Sequence, residues 1–147
     1  MCGIAGIMTA TGRAPLPEQL EALADALGHR GPDGRGTYVR GATGLVHTRL
    51  AIIDLKTGDQ PLTYPDGAVL VANGEIYNYV ELRESLADYS FRTHSDCEPP
   101  LHLYAKAGIR FTEHLRGMYS LAIYDPKWDR LVLARDPFGI KPLNYCL

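Results

Sequence analysis

Cys2 directly follows Met1, and the segment Met1-Cys2-Gly3-Ile4-Ala5-Gly6-Ile7 runs from that thiol straight into small and apolar residues suited to a buried strand. The chain is therefore anchored in its own core almost from its first residue, where a loose terminus is the ordinary case. If Met1 is removed, Cys2 becomes the N-terminus and carries its own base. A free α-amine titrates near pH ~8 and a thiol near ~8.5, so the amine can accept the thiol proton directly or through one water, with no histidine. Cys2 is thus a candidate N-terminal nucleophile.

The 147 residues suit a single domain, large enough to bury roughly two thirds of its unfolded surface. A net charge of −2 with both signs scattered points to neither a nucleic-acid groove nor an anionic membrane surface. No stretch approaches the roughly 20 apolar residues of a membrane span, and the start has no signal-peptide pattern, so a cytoplasmic protein is expected. Cys2, Cys97 and Cys146 form no close-spaced framework. An odd number of cysteines fits a reducing compartment and leaves Cys2 available as a thiolate.

Hydrophobic periodicity predicts a strand over Gly3 to Met8 and a helix over Pro17 to Leu27, with Leu20, Leu23, Ala24 and Leu27 on one face and Gly28 as its stop. His29 to Gly36 packs three glycines and a proline into eight residues, which is turn chemistry. Strands are expected at Thr37 to Arg40 and Gly44 to Ile53, then a short strand over Ala68 to Ala72 that delivers Asn73-Gly74 to a turn. Val80 to Ala87, Leu101 to Ala107 and Phe111 to Leu115 read as helices, and Tyr119 to Asp125 pairs with Arg130 to Arg135 as a hairpin. This mixed order lacks a βαβ rhythm, so the fold class is α+β with largely antiparallel sheet.

Four separated segments carry residues that an ordinary core does not need together: Met1-Cys2-Gly3-Ile4, His29-Arg30-Gly31-Pro32-Asp33-Gly34, His47-Thr48-Arg49-Leu50-Ala51-Ile52-Ile53-Asp54 and Asn73-Gly74-Glu75-Ile76-Tyr77-Asn78. In this order, and with Gln60-Pro61-Leu62, they resemble the glutaminase domain of class II glutamine amidotransferases, within them the asparagine synthetase family. The resemblance runs from Met1 to the Leu133-to-Leu143 segment.

Cleaving a glutamine side-chain amide needs a nucleophile, a base, oxyanion donors and groups that hold the substrate's α-carboxylate and α-ammonium. Cys2 and its amine supply the first two. Asn73 offers a side-chain NH2, and Gly74 lets its backbone N–H approach closely, so the pair can form a two-donor oxyanion hole. Arg49 can grip a carboxylate bidentately, and Asp96 or Glu75 can hold the ammonium. The resemblance implies the same catalytic set of Cys2, Asn73 and Gly74. It implies a substrate pocket of Arg49, Asp96, Glu75 and the backbone of Leu50, Ala51, Ile52 and Ile53. L-glutamine is then the substrate, and no metal or organic cofactor is needed for this half-reaction.

The resemblance further implies an N-terminal nucleophile hydrolase fold, an α/β/β/α sandwich of two antiparallel sheets with Cys2 at a strand end between them. Relatives continue past Pro-Leu-x-Tyr with further strands and then a synthetase domain that uses ATP and Mg. Residues 1–147 are accordingly expected to be an incomplete glutaminase domain that passes ammonia to a synthetase domain or partner subunit and that can form a homodimer. Pro99-Pro100 depart from the aliphatic residues usual after Ser-Asp-(Thr/Cys)-Glu; two prolines should delay the following helix and shift Asp96. Two other readings compete. His94, Asp96, Cys97, Glu98 and His102 are metal-ligand types within nine residues, compatible with a zinc module, and a relative could serve in non-catalytic protein contact or feed a different acceptor.

Overall fold

The computed structural model describes residues 1–147 throughout. It comprises β1 (Gly3–Met8), α1 (Pro17–Leu27), β2 (Gly34–Arg40), β3 (Thr43–Arg49), β4 (Leu62–Thr63), β5 (Val69–Ile76), α2 (Tyr79–Ser85), α3 (Pro99–Ala107), a 3₁₀ segment (Gly108–His114), β6 (Gly117–Asp125) and β7 (Arg130–Arg135). The strands form two antiparallel sheets, β1-β3-β2 and β4-β5-β6-β7.

The two-residue period of a strand sorts the side chains into layers. On β3, Val46 turns outward to Leu20 and Ala24 of α1, while Leu45 turns inward to Val69, Val71, Ala122 and Tyr124 of the second sheet. On β5 and β6, the alternate residues Leu70, Ala72, Leu121 and Ile123 face away from the first sheet. They pack under Leu82 and Leu86 near α2, Leu101 and Leu103 of α3, and Phe111. The order is α1, first sheet, second sheet, α2 with α3, the four-layer α/β/β/α sandwich. β3 and β5 are buried on both faces because each lies inside a sheet that is covered on both sides.

Several boundaries differ from expectation, each for a tertiary reason. Asn73-Gly74 is no turn: β5 continues to Ile76 because β6 supplies ladder partners, pairing Asn73 with Ser120 and Gly74 with Tyr119. Glycine is required there, since a Cβ on Gly74 would lie 2.1 Å from the Met118 carbonyl oxygen. β3 ends at Arg49 and not Ile53, because β1 offers no partner beyond the Gly3–Thr48 pair. β2 begins three residues early, at Gly34, by pairing with Arg49. The prolines do not delay α3: Pro99 and Pro100 occupy its first turn, where no intrahelical donor is missed. Gly28 closes α1 in the right-handed region, its amide donating to the Asp25 carbonyl. No helix is long and apolar enough to cross a membrane.

Leu45 is wholly buried at the centre of the sheet-on-sheet contact. Leu45→Ala is expected to cost about 3 kcal/mol, read as a lower urea midpoint with an unchanged slope.

Candidate active site

Cys2 is the residue just before β1, on the inward-facing parity shared by Ile4 and its pair partner His47. Its thiol meets the backbone where β3 leaves the sheet: Sγ lies 3.5 Å from the Leu50 amide nitrogen and 3.7 Å from the Leu50 carbonyl oxygen. The loop from His29 to Gly34 braces this junction. Arg30 Nε donates to the Cys2 carbonyl at 3.1 Å. The Asp33 amide donates to the Arg49 carbonyl, and the Asp33 carboxylate accepts the Ala51 amide, both at 2.9 Å. A Cβ on Gly31 would sit 2.3 Å from the Thr48 carbonyl carbon, so only glycine lets the loop lie this close to β3.

A narrow cavity of about 50 Å³ opens beside the thiol. Of the residues singled out from the sequence, Cys2, Arg49, Leu50, Ile52, Ile53, Gly74, Glu75 and Asp96 line it. Ala51 is turned instead to Asp33, and Asn73 is buried behind Gly74 facing the first sheet, its Oδ1 without a hydrogen-bond partner. Sequence reasoning missed His47, Gly58, Gln60, Ala72, Ser95 and Cys97 as cavity residues. His47 and Gln60 stood within the motifs quoted above, and strand parity with Arg49 was the signal that could have found His47.

Arg49 is only 7 % exposed, and its guanidinium is engaged. Nη1 donates to Asp59 at 2.7 Å and Nη2 to the Asp54 carbonyl. The Asp59 side chain is 79 % exposed, so Arg49 is fixed by a carboxylate that can move into solvent. Burial raises the Asp96 carboxyl against the opposing effect of the Ile76 amide, which donates to it at 2.8 Å. Asp96 is not a helix cap, because the residue preceding α3 is Glu98. His47 is pushed down to about 4, chiefly by burial, and is neutral at ordinary pH, its Nε2 without a partner. Burial also pushes the Cys97 thiol well up, so of the two thiols in the cavity Cys97 is the poorer nucleophile.

The segment that presents Asp96 is pinned by Glu98. Its carboxylate accepts the Arg92 and Thr93 amides at 2.8 Å and the Thr93 hydroxyl at 2.6 Å, and it lies 3.4 Å from His102 Nε2. Those bonds spend the carboxylate that a zinc module would need, and no group of three His, Cys, Asp or Glu side chains converges to hold a metal ion.

Two stacked antiparallel sheets with helices outside, and a cysteine at the head of an edge strand between them, have the architecture of the N-terminal nucleophile hydrolase fold. The glutamine phosphoribosylpyrophosphate amidotransferase of Bacillus subtilis, solved with ADP and GMP, superimposes on it with a TM-score of 0.78 over 95 % of this chain and 38 % of that one. At 22 % identity that likeness is one of fold. The model of the glutamine amidotransferase domain matches residues 1–147, and the chain belongs to that family. It is 44 % identical, over 99 % of its length, to asparagine synthetase [glutamine-hydrolyzing] 2 of Bacillus subtilis. Over 86 % of its length it is 48 % identical to asparagine synthetase [glutamine-hydrolyzing] 1 of Saccharomyces cerevisiae. It spans about a fifth of the length of these relatives (20 % and 22 %).

Burial alone would raise the Glu98 carboxyl, but the His102, Arg92 and Thr93 hydrogen bonds bring it from 4.5 down to about 2. Its stabilisation is therefore complete above the unfolded-state value near 4.5 and lost as pH falls toward about 2. Glu98→Gln is expected to lower stability at pH 7 by about 2 kcal/mol. In urea titrations the gap to the unsubstituted protein should narrow between pH 4.5 and 2.

Proposed function

We propose that this domain hydrolyses L-glutamine to glutamate and ammonia through a γ-glutamyl thioester on Cys2. The observation that carries this reading is the convergence of the Cys2 thiol, the Arg49 guanidinium and the Glu75 and Asp96 carboxylates on one cavity. That is the set a free α-amino acid with a side-chain amide requires.

After removal of Met1, the Cys2 amine takes the thiol proton and Sγ attacks the glutamine side-chain carbonyl carbon. Negative charge moves to the carbonyl oxygen, where the Gly74 amide and the Asn73 side-chain NH2 act as donors. Asn73 shares the strand parity of Val69 and Val71, which face the first sheet, the sheet that carries Cys2. As the intermediate collapses, the amine returns its proton to the leaving nitrogen and ammonia departs. Water, deprotonated by the same amine, then attacks the thioester and releases glutamate and the thiol. Arg49 holds the α-carboxylate once Asp59 yields to it, Asp96 with Glu75 holds the α-ammonium, and the backbone of residues 50–53 forms the wall. Every group in this half-reaction is a side chain, amide or terminus of this chain.

The identity to glutamine-hydrolysing asparagine synthetases supports aspartate as the final acceptor of the ammonia. In this reading an associated synthetase domain or partner subunit activates the acceptor with ATP and Mg, and the whole functions in the cytoplasm, where it can form a homodimer.

Processed protein incubated with glutamine should release ammonia, and Cys2→Ala should abolish it; release unchanged in Cys2→Ala would overturn the reading. Asn73→Ala is expected to lower kcat by about 10²-fold or more. Arg49→Ala should raise the KM for glutamine at least about tenfold. An unaltered KM would remove Arg49 from the carboxylate site.

A further inference from the structure

Lys141 is buried, 4 % exposed, beyond the end of β7, and lies outside the cavity. Its segment is tightly held. The Lys141 amide donates to Asp136 at 3.0 Å, and its carbonyl accepts Arg135 Nε at 2.8 Å. The side chain ends at the start of the chain, where Nζ lies 2.8 Å from Met1 Sδ. A thioether is a weak acceptor, and Lys141 takes part in no ion pair. A buried ammonium is expensive without a carboxylate, yet this one is aimed at the residue whose removal exposes the Cys2 amine.

The charges around that point do not cancel it. From the loop before β2, Arg30 adds a second cation at the Cys2 carbonyl, also outside any ion pair, while Asp33 is occupied by the Ala51 amide. From the segment of Lys141 itself, Asp136 is spent on the amides of Tyr119, Phe138, Ile140 and Lys141. On the cavity side, Arg49 is balanced by Asp59, and Asp96 accepts the Ile76 amide. Glu75 is the remaining carboxylate there, and His47 and the Cys97 thiol are neutral.

We propose that Lys141 is a positioning residue for catalysis: its ammonium, freed of Met1 by processing, keeps the Cys2 amine in the unprotonated form that serves as base. The inference rests on the N-terminal nucleophile reading. With Nζ reaching Met1, the residue bonded to the Cys2 nitrogen, its like charge disfavours protonation of the amine. Binding of substrate does not need Lys141, which touches neither the cavity nor the Arg49 clamp.

The test uses the Met1-free chain labelled with ¹³C-cysteine, in which the Cys2 resonances report titration of the amine by NMR. Ammonia release is measured on the same samples from pH 6 to 9. In Lys141→Met, the amine titration and the acidic limb of kcat/KM should both move up by about one pH unit, with the KM for glutamine at saturating pH unchanged. Lys141→Arg, which keeps the charge, should titrate within roughly 0.3 units of the unsubstituted protein. An amine titration unmoved in Lys141→Met overturns the proposal, even with full glutaminase activity. A shifted titration in a chain that releases no ammonia upholds Lys141 and leaves the glutaminase reading to fail alone. If circular dichroism shows Lys141→Met unfolded, Lys141→Gln decides by the same two outcomes.

Discussion

The pairing of β1 with the inner strand β3 is the constraint on which the site depends. Gly3 lies against Thr48 so closely that a Cβ on Gly3 would meet Thr48 Oγ1 at 2.6 Å. The β1 ladder stops there, and Cys2, one residue before β1, meets Leu50, one residue past the end of β3, so the thiol lies at the first backbone free of the sheet. A residue this near a chain terminus would ordinarily fray. Here an antiparallel ladder running along β1, with α1 on one side and the second sheet on the other, holds it in place.

The second sheet brings the remaining chemistry by continuing where a turn was expected. Because β6 pairs with β5 as far as Ile76, Gly74 and Glu75 reach the cavity on a rigid strand, and the Ile76 amide is left to hold Asp96. A strand places the oxyanion donor proposed at Gly74 more closely than a turn does. The β3–β4 connection has the opposite character. Asp54 adopts a positive φ of 53° and collects the amides of Thr57 and His94, and through Asp54 and Asp59 this loop grips Arg49.

Much of this arrangement was legible in the sequence. Period-two and period-3.6 patterns gave β1, α1, β6 and β7 within a residue or two, because each is amphipathic or flanked by clear stops. The strand limits around Arg49 and Asn73-Gly74 were not legible, since a partner strand decides whether a segment stays in a ladder. Cys2, Arg49, Gly74, Glu75 and Asp96 were identifiable by residue type and segment. Asp59 and Lys141 were not, because a carboxylate and an ammonium in those positions look like ordinary solvated residues until folding brings them to Arg49 and to the chain terminus.

The sequence by itself determined that a thiol stands beside the first residue, together with the residue types proposed as base and as clamps for a free amino acid, because these are properties of residue identity. Only the tertiary structure decided which cations stand beside the terminus, that Arg49 is already held by Asp59, and that Asn73 lies in a strand with its side chain toward the first sheet. Those are matters of distance between segments far apart in the chain, set by sheet pairing and layer packing, and one-dimensional pattern carries no record of them.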